Sequence, residues 1–449
     1  MTSPRSGTPR ATLSATDGAL MMIGIIIGIG IFKTPQLVAM FSPNGWVFVG
    51  AWVAGGLATL IGALVYAELA ATYPSTGGEY SFLTRAFGQP VGFMFAWART
   101  TVIQTGAIAA VAFVLGDYAQ QLYSLGSYGS AIYAAVTLAL VTAINLAGTY
   151  ESKTAQNVLS FLEVSAIVVI CVVAFMAASG STSPAPATGA ASDGPGYGAL
   201  GLAMVFILLT YGGWNECAYI SADLKDVRRD MVRILLIGTA VVTALYVAIN
   251  CAYLAVLGLE GLRKSDAVAA DVMRAGLGPS GAVIVSVIVC CAALSTMNAS
   301  VFTGARLYHA LGQDLSLQKL GVWDAVHNNP RNAILLQSAI AMALVCFGAI
   351  AKDGFKAMVE YTAPVFWFFL LLVGVSLFVL RRRDPDRVRP FKVPLYPLTP
   401  ALFCLICAYL LYASLAYTGK GALFGLAVLM LGVPLLFWVR KKQAFAPAE

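Results

Sequence analysis

Twelve times in 449 residues the chain runs through about 20 predominantly apolar residues, the length a helix needs to cross a bilayer's hydrocarbon core. The stretches are 15–40, 45–71, 89–122, 130–148, 155–178, 199–222, 232–258, 279–309, 332–350, 357–380, 399–417 and 421–440. Only 11% of the residues are charged, against roughly 25% in soluble domains, and the mean hydropathy is +0.80. Such a chain cannot cover a water-soluble globule of this size. The expectation is an all-α membrane protein of twelve transmembrane helices. It divides into a cytoplasmic tail (1–14), five spans (15–178), an extracellular Ser/Pro/Gly/Ala loop (179–198) and five spans (199–380). A basic cytoplasmic loop (381–398), two last spans (399–441) and a second cytoplasmic tail (442–449) complete it.

The placement of lysine and arginine fixes an orientation. With both termini cytoplasmic, 20 of the 28 basic residues fall inside and 6 outside, with Lys33 and Arg99 left within helices. That asymmetry is what the positive-inside rule predicts. The net charge of +7 lies at segment ends and forms no basic face, which argues against a nucleic-acid partner. All eight cysteines sit inside apolar runs and there are only two histidines, so neither a disulfide framework nor a metal site is expected. No HExxH motif, paired intramembrane aspartates or GxxxxGK[ST] loop occurs, so a membrane enzyme or an ATP-driven pump is not expected. The first residues are polar and lack the apolar core of a cleaved signal.

Two spans carry the same anomaly. The first reads IGIIIGIGIFKTP, with Gly24, Gly28, Gly30 and Pro35, and the sixth reads FILLTYGGWNE, with Gly212 and Gly213. Glycine clusters open a helix and free amide and carbonyl groups that hydrocarbon cannot satisfy, so such backbone belongs beside a cavity. Breaks five spans apart imply two units inserted upside down relative to each other, with a midplane site between discontinuous helices. Freed amides near Gly30 suit a carboxylate, and freed carbonyls suit an ammonium. Gly24 and Gly28 also fit close helix packing through small residues.

The motifs GIGIFKTP (28–35), YAELAATYPSTGGEY (66–80), YGGWN (211–215), TMNASVFTGAR (296–306) and RRRDPDRVRPFKVP (381–394) together resemble the amino acid–polyamine–organocation superfamily, in particular its L-type amino-acid transporter branch. The likeness extends from about residue 17 to 392. It implies a LeuT-type fold, in which spans 1–5 and 6–10 are inverted repeats and two C-terminal helices follow. It also implies carriage of amino acids by exchange or ion-coupled uptake. On this resemblance the substrate carboxylate would meet Gly28, Ile29 and Gly30, and the ammonium carbonyls near Leu209, Thr210 and Gly212. Asn215, Ser295, Thr296 and Phe366 would line the site, and Tyr211 and Trp214 would serve in gating.

The chain departs from the family at several of these positions. Ile29 stands for the usual serine, Leu209 for a frequent aromatic gate, and LKDVRRDM lacks both prolines of N-P-x-R-x-x-P. The fifth span has Glu163 where many members hold a lysine, and Lys33 follows the first break instead. Intramembrane charge needs partners. Glu163 and Lys33 could neutralise each other, with a proton, before sodium, as the coupling ion at Glu163. Glu216 could face a cationic substrate, and Arg99 reads as structural. Glu68 and Glu79 are expected to pair with Arg85 or with the basic residues after the sixth span.

The loop LYSLGSYGS has no cysteine, so no disulfide-linked heavy chain is expected; a monomer or homodimer is. The expected activity is secondary transport of neutral amino acids as exchanger or proton symporter, with no resident cofactor. Cationic amino acids or small amines, and an amino-acid sensor, are the alternatives. An Ala/Gly-rich composition with Arg over Lys suggests a bacterial inner membrane.

Overall fold

The computed structural model describes residues 19, 22–23, 26–75, 77–147, 153–180, 197–218, 226–314, 319–324, 329–351, 353–416 and 420–437. The expected tails (1–14 and 442–449), the body of the 179–198 loop, Gly24 and the side chain of Glu163 lie outside what is described. All regular elements among the described residues are helical. In chain order they are α1 (Gly30–Phe41), α2 (Gly45–Thr72), α3 (Gly78–Phe87), α4 (Gln89–Ala98), a π segment (Arg99–Gln104), α5 (Thr105–Leu122), α6 (Gly129–Leu146), α7 (Lys153–Gly180) and α8 (Tyr197–Thr210). A 3-10 turn (Trp214–Ala218) follows, then α9 (Val227–Lys264), α10 (Val268–Asp314), α11 (Arg331–Ile350), α12 (Gly354–Arg383), α13 (Leu398–Ala416) and α14 (Lys420–Met430).

Eight helices in the described residues are long and apolar enough to cross a membrane, and the apolar helices 164–177, 200–210 and 421–437 are shorter. The chain is a multi-pass membrane protein. Local signals set the helix starts. The Asn44 side chain accepts from the Val47 amide at 2.9 Å, and Asp353 accepts from the Lys356 amide at 3.0 Å, each meeting a donor that the first turn leaves unpaired.

Lengthwise packing of α2 on α9, of α5 on α10 and of α12 on α13 builds the bundle. Its core is apolar and aromatic, with Trp52, Tyr66, Tyr118, Tyr211, Tyr246 and Tyr361 all fully enclosed. The chain between the long parts of α9 and α10 is not a plain loop. Gly258 (φ 64°) and Gly278 (φ 69°) kink the two helices, and the stretch between them forms a short helical strap. The strap lies over α1. Arg263 donates through Nε to the Ala39 carbonyl (3.0 Å) and through Nη2 to the Ser42 carbonyl (2.7 Å), so it meets carbonyls at the C-terminal end of α1.

Candidate functional site

The two glycine-rich stretches form two interruptions that face each other. In the first, the helix is interrupted at residues 27–29 and α1 starts at Gly30; the Gly28 amide reaches back to the Ile26 carbonyl at 2.7 Å. In the second, α8 stops at Thr210 and the chain turns through Gly212 and Gly213 into the 3-10 turn. Gly213 sits at φ 109°, which a residue with a Cβ rarely adopts.

Thr210 joins the two. Its hydroxyl donates to Thr34 Oγ1 at 2.6 Å, and a Cβ built on Gly30 would lie 3.3 Å from the Thr210 hydroxyl. A Cβ at Gly28 would meet only the Ile26 carbonyl, at 4.0 Å, so the backbone there borders open space. Behind the breaks stands Tyr246 of α9. Its hydroxyl donates to the Ile26 carbonyl at 2.8 Å and lies 3.4 Å from the Thr210 carbonyl, one carbonyl from each break. Trp52 and Tyr211 complete this aromatic wall, with ring centroids 5.0–6.1 Å apart.

The structure thus brings Gly28, Ile29, Gly30, Thr210 and Tyr211 together, with Gly212 just beyond. Trp214 and Phe366 sit elsewhere. They share a small apolar cavity whose wall also includes Thr59 and Leu208, with Phe403 and Cys407 from α13. Leu209 is half-buried against the core, and Thr296 is half-buried on α10 beside Ser295, whose enclosed hydroxyl has no hydrogen-bond partner among the described residues. Tyr211 and Trp214 are both packed against other aromatics: the Tyr211 hydroxyl donates to the Trp52 carbonyl, and Trp214 lies edge-on to Tyr66.

Three ion clusters lie at and beyond these breaks, and the pairing of Glu68 and Glu79 differs from the sequence expectation. Lys33 is buried, with Nζ 3.0 Å from Asp117 of α5 and 3.8 Å from Asp266 of the strap; it neither reaches for an interface nor lacks a carboxylate. Glu68 pairs with basic residues that follow the tenth apolar stretch, not the sixth. Arg381 holds both its oxygens at 2.7 and 2.5 Å, Arg389 lies at 3.6 Å, and the Val393 amide donates at 2.7 Å. Glu79 meets Arg99 (3.4 Å), the Tyr66 hydroxyl (2.5 Å) and the Asn215 side-chain amide (3.0 Å). Glu216 is held by Arg99 Nη2 through both oxygens, at 2.7 and 2.8 Å.

Arg99 opens the π segment of the third apolar stretch, an irregularity often found at functional places in helices. Tyr73, just past α2, lies under the guanidinium of Arg387 at 4.4 Å and donates to Asp384 at 2.8 Å. Burial and that hydrogen bond push its phenol up to about 12, so it stays a donor at any physiological pH.

The sequence profile described as Amino acid permease matches residues 13–436. Among curated relatives, the chain is similar to the human (Homo sapiens) cystine/glutamate transporter, 26% identical over 95% of this chain and 86% of that protein. It is similar to the large neutral amino acids transporter small subunit 2 of Oryctolagus cuniculus, 28% identical over 95% of this chain and 80% of the relative. The serine/threonine exchanger SteT of Bacillus subtilis (strain 168) is 25% identical over 94% of this chain and 95% of its own.

Proposed function

The chain belongs to the amino acid permease family, and on that premise we propose that it carries neutral amino acids across the plasma membrane by alternating access, exchanging one for another. It is a transporter and not an enzyme. The observation that carries the substrate reading is the facing pair of breaks. Backbone beside Gly28 borders open space, and Tyr246 bridges toward one carbonyl of each break. Amides at the start of α1 suit an α-carboxylate and carbonyls at the end of α8 an α-ammonium, as in transporters with discontinuous helices.

In this reading twelve spans form an inverted repeat plus two further helices, in a bacterial inner membrane with both ends cytoplasmic. Gly28, Ile29 and Gly30 hold the carboxylate, Thr210 and Gly212 lie at the ammonium, and Thr34 joins Thr210 in closing the breaks. Ile29 and Leu209 favour an uncharged side chain. Glu216, the group that favoured a cationic substrate, has both oxygens on Arg99. Exchange finds support in the Bacillus relative, a serine/threonine exchanger.

The test is uptake of a labelled amino-acid panel by purified protein in liposomes, with and without unlabelled amino acid inside. Uptake of neutral amino acids that depends on internal amino acid is the expected result. Accumulation driven by an acid-outside gradient alone would replace exchange with proton symport, and uptake confined to amines would overturn the substrate class.

A further inference from the structure

Residues 381–392, which lead from the end of α12 toward α13, hold six basic side chains and two acidic ones. Four of the six basic groups are turned inward. Arg381 and Arg389 stand on Glu68, Arg387 donates to the Thr72 carbonyl at 3.2 Å, and Arg383 donates to the Arg85 carbonyl at 3.1 Å. Arg382 and Lys392 differ. Both are exposed, and neither meets a hydrogen-bond, ionic or ring partner among the described residues. Of the two acids, Asp384 accepts from the Tyr73 hydroxyl and Asp386 is exposed.

What borders these cations is apolar and outward-facing. Leu398, Leu402 and Leu405 follow the four-and-three spacing that places residues on one helix face, and all three are exposed. The opposite face of α13 buries Phe403, Cys407 and Leu410. On a membrane-spanning helix, an exposed leucine stripe of this kind lies against acyl chains. Just before the helix, Leu395 is 77% exposed and held at φ 54°, a conformation uncommon for so bulky a residue. The turn keeps it there, its carbonyl accepting from the Leu398 amide at 2.7 Å.

Tyr396 marks the depth. Its ring lies under the Arg381 guanidinium at 3.8 Å and against Phe378 of α12 at 5.7 Å, and tyrosines favour the level of the lipid headgroups. Arg382 follows Phe378 by four residues, so it emerges on the side of α12 that meets this tyrosine. Unpartnered cations at headgroup level, with a leucine wall running on from them, complement a phosphodiester that carries acyl chains. A small soluble anion would use the cations alone. A protein docked here would have to displace lipid from the leucine stripe.

We propose that the junction of α12 and α13 is a binding site for an anionic phospholipid of the cytoplasmic leaflet, its headgroup meeting Arg382 and Lys392 and an acyl chain lying along Leu398, Leu402 and Leu405. From the transport reading this takes only the orientation, with the junction facing the cytoplasm. Each basic residue near an anionic headgroup is worth about fivefold in binding, so the two together give roughly a 30-fold preference for anionic over zwitterionic lipid.

The experiment is native mass spectrometry of the purified full chain, offered phosphatidylglycerol and phosphatidylcholine with identical acyl chains. Retention of phosphatidylglycerol with that preference is expected, and Arg382→Gln/Lys392→Gln is expected to lose most of it. Lys319→Gln/Arg331→Gln removes two other basic residues from the same side and is expected to leave the preference intact. Equal losses in the two double variants would mean a diffuse attraction to positive charge and overturn the site. Equal retention of both lipids by the wild type overturns it as well. Competition by glycerol 3-phosphate at the same concentration would make the ligand a soluble anion and remove the lipid. Hydrogen exchange of the wild type needs no variant to fold: phosphatidylglycerol is expected to slow exchange at 381–402 relative to phosphatidylcholine. Slowing elsewhere with none in that segment overturns the assignment. Because every readout is lipid binding, its failure leaves the transport reading standing, and absence of amino-acid uptake leaves the lipid site standing.

Discussion

The two ends of the bundle hold charge in opposite senses. At one end Lys33 is a single cation beside Asp117 and Asp266, with the field of Asp353 also reaching it. At the other, Glu68 is a single acid held by Arg381 and Arg389. The chain sets them apart, because α2 runs roughly 35 Å from beside the end of α1 to Glu68, while Lys33 stands only about 12 Å back from that end at 1.5 Å per residue. They also differ in wetness. The Asp266 side chain is 77% exposed, and it rides on the strap between two glycine kinks. Every group around Glu68 is largely enclosed, and a backbone amide is added to the two arginines. An ion pair with one wet partner is weak and separable, whereas an enclosed one strands a charge if either partner leaves. The Asp266 contact is therefore built to release, and the enclosed contacts of Lys33 with Asp117 and of Glu68 with its arginines to stay fixed.

Four substitutions test this asymmetry, in falling order of effect. Glu68→Ala leaves two guanidiniums without an acid and is expected to cost about 3–5 kcal/mol, read as the largest drop in apparent Tm of purified protein in detergent. A drop no larger than that of Asp266→Asn would erase the distinction between the ends. Lys33→Met strands Asp117 and is expected to lower both stability and exchange, with Lys33→Met/Asp117→Asn recovering part of the stability. A double-mutant cycle should give a coupling of about 1 kcal/mol or more, and additive losses would mean that the pair does not act as one.

Arg263→Ala frees the strap from the Ala39 and Ser42 carbonyls, at an expected cost of about 1–3 kcal/mol. Faster hydrogen exchange confined to 259–277 and the end of α1 would report it, and protection unchanged there would refute the anchoring role. Asp266→Asn is expected to cost under about 1 kcal/mol and to matter less as salt rises. A salt-independent loss would show that this aspartate is held as tightly as its enclosed counterparts.

Much of the architecture was legible in the sequence because hydrocarbon punishes exceptions. Long apolar stretches mark membrane helices, and glycines within two of them mark where helix gives way. The ion partners were harder to read. Glu68 finds Arg381 across 313 positions, where proximity in sequence pointed to Arg85. Asp117 looks like an ordinary residue near a span's end, and only the folded chain puts it against Lys33. Glu79 sits in a short connecting helix, a place that reads as surface, yet α3 turns it inward to Arg99. The strap left no mark in the pattern because its two short helices carry no apolar stretch, and the π segment has no residue pattern of its own. Tyr246 escaped notice because one hydroxyl in an apolar span looks the same whether it faces lipid or a carbonyl.

The closeness of Gly30 to Thr210 orders what can change around the breaks. A methyl group at position 30 would press on both branches of the threonine, each 3.3 Å from where it would stand. Trimming Thr210 to serine removes one branch and keeps the hydroxyl that reaches Thr34. Stepwise reshaping of this transporter therefore has a gentler order of moves: position 210 first, then position 30. A lineage that takes the steps in reverse passes through an intermediate in which Thr210 must give way by a few tenths of an ångström.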